Sequence, residues 1–219
     1  MIELLYQDAH LLVCRKPAGL LSEGDGPDCL PALLSAQCGG GIFPVHRLDR
    51  GASGLMVFAR TPKAAAALSR AVQEKQLHKE YFALVSGVLC PAAGEMTDLL
   101  FKDSKKGKVF VVQRPRRGVR EARLTYETLE TRGEGASAVS LVRIRLDTGR
   151  THQIRVQFSS RGMPLLGDGK YGSRVKGPLA LFSCRLAFPH PGAARSLDFS
   201  LPLPPDWLSP EPPDSSVEG

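Results

Sequence analysis

Asp49 stands between Arg47 and Arg50 in HRLDRGASGL, residues 46–55, directly before the apolar run LMVFA. Flanking guanidinium groups favour the ionised form of a carboxylate, and a carboxylate fixed as an anion can act as a nucleophile or a general base. Gly51, Ala52, Ser53 and Gly54 are small enough to let another chain approach closely. Two further segments carry residues of chemical interest: KEYFALVSG at 79–87 and TGRTHQIRVQFSSRGMPLLGDGKYG at 148–172. Each alone reads equally as a strand with an ion pair at its end.

Several other chemistries are excluded by spacing. GDGKYG, 167–172, has the letters of a dinucleotide-binding loop, but it follows Met163-Pro164 and runs into SRVKGP, without the strand before and helix after that a pyrophosphate cradle needs. No Walker loop occurs. His46, His78, His152 and His190 lie too far apart, and lack the carboxylate spacings, for a metal site. The five cysteines are odd in number with no C-x-x-C pair, so they read as small buried hydrophobes.

The elements that must position these residues follow from periodicity. Ile2 to Arg15 alternates around Asp8-Ala9-His10 and predicts a hairpin, ended by the turn Lys16-Pro17-Ala18-Gly19. Residues 22–41 read as loop with at most a short helix around Leu30 to Gln37. LMVFA predicts a strand; Thr61-Pro62 starts a helix through KAAAALSRAVQEKQ, with Leu68 and Val72 facing its core. KEYFALVSGV returns as a strand ending near Pro91. Alternation at Ala122, Leu124 and Tyr126, and at Val142, Ile144 and Leu146, predicts two half-buried strands paired across the Gly-rich link at 133–135. Thr151 is expected to cap a helix HQIRVQFSSR, with Ile154 and Phe158 on one face and Gly162 as its stop.

The 219 residues suffice for one catalytic domain, expected over 1–201, while 202–219, with six prolines and no basic residue, reads as a mobile tail. No apolar run approaches the ~20 residues of a membrane span and the start lacks the features of a signal peptide, which points to a cytoplasmic protein without a membrane partner. The formal charge of +7 and pI near 9.3 favour a polyanion. Residues 102–123 hold nine Lys or Arg against two acids, either a solvated face or a phosphate-contacting surface.

Taken in order, the three segments resemble the RluA-type family of RNA pseudouridine synthases, whose motifs read H-R-L-D-x-x-T/A-S-G-L, K-x-Y-x-A-L-V-x-G and G-R-T-H-Q-I-R-V followed by G-x-P-x-x-G-D-x-x-Y-G. LLYQDAHLLVCRKPAGLL and LFSCRLAFPHP are similar to the family's opening and close. The resemblance implies an α+β fold, a mainly antiparallel mixed sheet with helices and loops around a central cleft. It implies an isomerase that converts uridine to pseudouridine in ribosomal or transfer RNA without a metal or organic cofactor. Asp49 would be the carboxylate acting at the sugar, Tyr81 the platform for the freed base, and Arg155 the partner of Asp49. Arg47 would fill the gap left by the extruded nucleotide, and Ile154 would help wall the base pocket or pack in the core. Lys105, Lys106, Arg116 and Arg117 become candidates for RNA phosphate contacts. Ala52, Gln157 and LFSCRL depart from the common pattern. The chain is expected to lack the S4-type domain many relatives carry and to act as a monomer. The alternatives are an RNA-binding module that keeps the fold without turnover, and a glycoside or nucleoside hydrolase. The latter normally needs two opposed carboxylates, and no second acid is expected in the matched motifs.

Overall fold

The computed structural model describes residues 1–24 and 26–207. β1 (Glu3–Gln7) and β2 (Leu11–Lys16) form the opening hairpin, its turn closed by Asp8, which accepts from the backbone N–H groups of His10 and Leu11 at 2.7 and 2.9 Å. α1 (Leu30–Cys38), β3 (Phe43–Pro44) and β4 (Ser53–Ala59) follow. Thr61 caps α2 (Pro62–Gln73), its hydroxyl accepting from the Ala64 N–H at 3.1 Å. The expected run of this helix to residue 76 is cut short. Lys75 turns left-handed at φ 59°, and the N–H groups of Lys75 and Gln76 reach back to the carbonyls of Val72 and Ala71, satisfying helix-end acceptors in a Schellman motif.

The rest of the chain is mostly strand: β5 (His78–Ser86), β6 (Ala93–Asp103), β7 (Lys108–Val112), β8 (Val119–Arg132), β9 (Val139–Leu146), then α3 (Gln153–Ser159), β10 (Leu181–Pro189) and β11 (Ser196–Ser200). All strands join one sheet of order β1-β2-β4-β10-β5-β9-β8-β6-β7, with β11 on β10 and β3 on β4. Among these ladders only β4 beside β10 is parallel. The result is the expected α+β fold with a mainly antiparallel mixed sheet.

The period of two along β2 and β4 sorts residues between two cores. Leu12, Cys14, Met56 and Phe58 meet α1 and α3 on one face. Leu11, Val13, Leu55 and Val57 meet α2 on the other. The small residues before β4 serve an approach within the chain: Gly54, at φ 109°, lies against the Ser183 backbone of β10, which a Cβ there would strike. Thr151 does not cap α3. The N-cap is His152, whose own left-handed backbone (φ 50°, ψ 25°) starts the helix without a side-chain cap.

Of the tail expected over 202–219, residues 202–207 are described. Pro205–Trp207 is a short 3₁₀ turn, and the Trp207 ring stands edge-on to Phe182 with centroids 6.5 Å apart. That part therefore rests on the sheet, because the indole finds an apolar neighbour; residues 208–219 lie outside the described residues. Among the described residues no helix is long and apolar enough to cross a membrane.

Candidate active site

Asp49 lies on the loop between β3 and β4, and that loop is fixed from below by Lys16. The Lys16 side chain is fully buried, and its ammonium donates to the carbonyls of Ala52 (2.7 Å), Pro17 (3.1 Å) and Arg50 (3.2 Å). Burial pulls this ammonium down to about 8, partly offset by the negative charge of Asp49. Ser22 Oγ accepts from the Leu48 N–H and donates to the Leu48 carbonyl, and Arg50 donates to the Gly19 carbonyl at 2.8 Å. Arg50, one of the two arginines beside Asp49 in sequence, thus holds the loop and leaves Asp49 to another partner.

That partner comes from α3. Arg155 Nη1 donates to Asp49 Oδ2 at 2.9 Å across 106 residues of sequence. Its other nitrogens grip Asp168, Nε to Oδ2 at 2.7 Å and Nη2 to Oδ1 at 2.8 Å. The side chains of Asp49, Arg155 and Asp168 are 13, 11 and 1% exposed. Burial disfavours the charged guanidinium, but the bonds to both carboxylates outweigh it and hold Arg155 protonated. Asp168 corrects the expectation that the matched motifs hold no second acid. It is not opposed to Asp49 across a cleft, as a hydrolase pair would be; it orients the guanidinium from behind.

Tyr171 and His152 complete this wall. Arg155 lies 5.0 Å from the centroid of the Tyr171 ring. The Tyr171 hydroxyl accepts from the Val109 N–H at 2.9 Å and shares a 2.8 Å hydrogen bond with His152 Nδ1. With the Val109 amide as donor, the phenol proton can go to Nδ1, leaving Nε2 as the protonated nitrogen, 3.9 Å from Asp49 Oδ1. Burial lowers the His152 imidazolium below its ordinary value, against the pull of Asp49. GDGKYG, rejected as a phosphate loop, therefore supplies both Asp168 and Tyr171.

Tyr81 projects from β5 into the same cleft, which has a volume of about 670 Å³ and is walled by Asp49, Tyr81, His152, Ile154, Arg155 and Leu181 among others. Tyr81 is 4% exposed. Burial first, then the charge of Asp49, raises its phenol above the ordinary value, so the ring is neutral and apolar on its faces. Ile154 lines the cleft and joins the core around Phe158. Arg47 lies at the cleft mouth, half-exposed and paired with Glu23 at 2.6 Å. Lys105 and Lys106 occupy the β6–β7 turn and Arg116 and Arg117 the β7–β8 turn; all four are exposed and none lines the cleft. Arg116 covers Phe101 at 4.4 Å, and Lys106 and Lys108 flank the partly exposed Phe110 at 5.9 Å. Gln157, standing where histidine is common, donates to Asp98 at 2.7 Å and ties α3 to β6. Among the described residues no group of His, Cys, Asp and Glu could hold a metal ion.

A carboxylate clamped by a guanidinium, sharing with a buried phenol a cleft of mixed polar and apolar lining, can act on a sugar while an aromatic face supports a planar base. The comparisons agree with that chemistry. The family described as RNA pseudouridylate synthase matches residues 10–160. Ribosomal large subunit pseudouridine synthase D of Zymomonas mobilis is 32% identical over 94% of this chain and 70% of its own length. The uncharacterized RNA pseudouridine synthase YlyB of Bacillus subtilis is also 32% identical, over 94% of this chain and 70% of its own. The solved structure of human RNA pseudouridylate synthase domain containing 4 superposes with a TM-score of 0.76 at 26% identity, covering 94% of this chain and 90% of that one. With the motifs, the fold and the cleft in agreement, the chain belongs to the RNA pseudouridylate synthases, enzymes that isomerise uridine within RNA.

Proposed function

We propose that this isomerase modifies ribosomal large-subunit RNA and that Asp49, Tyr81 and Arg155 carry the reaction. The observation that supports the assignment most is the 2.9 Å bond between Asp49 and Arg155 in a cleft that Tyr81 also lines. In the reaction the bond from ribose C1′ to uracil N1 breaks and one from C1′ to C5 forms. The C5 proton leaves and N1 gains one, so atoms balance without a cofactor. Asp49 acts at the sugar. Arg155, held from behind by Asp168, keeps that carboxylate in place and offsets its charge when an RNA strand approaches. Tyr81, neutral by burial, carries the freed base on its face while it turns.

Extruding a nucleotide costs a few kcal/mol of stacking. Arg47, half exposed in the cleft lining, fills that gap once it releases its bond to Glu23. Both partners are about half exposed, and such surface pairs are worth ~1 kcal/mol or less. Exchanging Glu23 for the RNA stack is therefore a small step. Ile154 closes the base pocket from α3.

The ribosomal target is supported by the names of the relatives, including those from Zymomonas mobilis and Vibrio parahaemolyticus. The test is to map pseudouridine in RNA from cells with and without the gene. Loss of one or more sites in large-subunit RNA is expected, whereas loss confined to transfer RNA would refute the ribosomal assignment.

A further inference from the structure

The cleft contains a cation without a partner among the described residues. Lys79, on β5, lines the cleft wall, is partly buried, and makes no hydrogen bond or ion pair with any described residue. Burial lowers its ammonium below the ordinary lysine value, and no carboxylate lies close enough to offset this. Its titratable neighbour is His46, whose Nε2 accepts from the Val57 N–H at 3.1 Å. Burial, reinforced by the charge of Lys79, pushes His46 down to about 3, so it stays neutral and offers no counter-charge. On the other side the Lys79 nitrogen reaches Gly149: a Cβ there would stand 3.1 Å from it. A glycine at that position is what leaves room for the ammonium. An uncompensated, part-desolvated charge is costly, and its presence in a cleft points to an anion supplied by the ligand.

We infer that Lys79 binds a backbone phosphate of the RNA as the extruded nucleotide enters the cleft. The inference rests on the reading above that RNA occupies this cleft. Lys79 and Tyr81 are two residues apart on one face of β5, ~6.5 Å along the strand. A base lying on Tyr81 would thus leave the ammonium beyond its edge, free to meet a phosphate of the entering strand. Lys75 and Arg150 also line the cleft, and Asp147 is the one carboxylate besides Asp49 among its lining residues, so the lining carries more positive than negative groups. A compact ammonium suits a phosphate as a point charge.

Lys79→Met tests this, with Lys79→Arg and Gly149→Ala beside it, using unmodified large-subunit ribosomal RNA labelled with tritium at uracil carbon 5. The RNA concentration for half-maximal release should rise about tenfold in Lys79→Met, as expected when one charge-assisted hydrogen bond is removed. The plateau rate should stay within about threefold, since the ammonium does not touch the reacting atoms. The slope of log binding constant against log salt, read by filter binding, should become shallower by about 0.7–0.9. Lys79→Arg should recover the slope, and Gly149→Ala, which crowds the ammonium, should fall between. The melting temperature of free Lys79→Met should equal or exceed that of the wild type, because an unpaired charge has been removed from a part-buried place. An unchanged slope and half-saturation in Lys79→Met would overturn the inference, as would a collapsed plateau rate at unchanged half-saturation. If the wild type itself binds RNA but releases no tritium, the catalytic reading fails, and the salt slope still decides the role of Lys79.

Discussion

Asp49 illustrates what sequence shows at the scale of the residue and where it stops. Its candidacy was legible because the carboxylate sits in a long motif, and that of Tyr81 and Arg155 because each lies in another in the expected order; the fold brings all three to one cleft. Arg50 looked equal to Arg47 as a counter-charge, yet it turns away to the Gly19 carbonyl, since a neighbour along the chain need not be a neighbour in space. Asp168 was carried by the motif G-x-P-x-x-G-D-x-x-Y-G but given no role, since its spacing to Arg155 says nothing until the turn at Gly169–Tyr171 folds it beneath the guanidinium. The structure assigns it the job of orientation, so Asp168→Asn should lower the tritium-release rate at saturating RNA tenfold or more. It should also reduce stability by about 3 kcal/mol, because an almost buried guanidinium is deprived of an ionic partner. Parallel urea melts and rate measurements check both effects. A wild-type rate in Asp168→Asn would show that Arg155 is positioned without it.

At the scale of the element, the helices and the β1–β2 and β8–β9 pairings were read from periodicity, but several ends and the partners distant in sequence were not. The alternation around Asp8 predicted the β1–β2 turn; nothing in it indicated that His190, 182 residues on, would close the turn from outside by donating from Nε2 to Asp8 at 2.7 Å. β6 and β11 carry weak local signals and take shape only on their neighbours, which is the usual behaviour of strands. Burial alone would raise the Asp8 carboxyl, but hydrogen bonds from His190 and from the Leu11 and His10 amides outweigh this and hold it well below 3.8. A carboxyl depressed on folding stabilises the native state above its ordinary value and gives up that contribution as pH falls toward the folded value. Asp8→Ala should therefore lower the melting temperature at pH 7, with the gap to wild type narrowing progressively below about pH 3.8. A gap constant from pH 7 to pH 2 would contradict the assignment of Asp8 as an ionised clasp.

For the molecule as a whole, the positive charge implied a polyanionic partner without locating it. The fold puts Arg47, Lys75, Lys79, Arg150 and Arg155 on the cleft wall and gathers a second basic group on the β6–β7 hairpin with its following turn. These two regions are joined through Tyr171, which receives the Val109 N–H on one side and stacks on Arg155 on the other. The exposed Phe110 ring beside Lys106 and Lys108 on this hairpin suits binding to RNA. Neutralising Lys105, Lys106, Arg116 and Arg117 together should weaken RNA binding and flatten its salt dependence by about 0.7–0.9 log units for each phosphate that is no longer neutralised; an unchanged slope would mean these charges are only solvated. The central claim, that Asp49 drives uridine isomerisation in this cleft, is tested most directly by tritium release from uracil carbon 5 of unmodified ribosomal RNA. Wild-type protein should release tritium to water while the uracil stays in the chain as pseudouridine, and Asp49→Asn should bind the same RNA yet release at least about 10³-fold more slowly. Release by Asp49→Asn at the wild-type rate, or free uracil in place of pseudouridine, would contradict it.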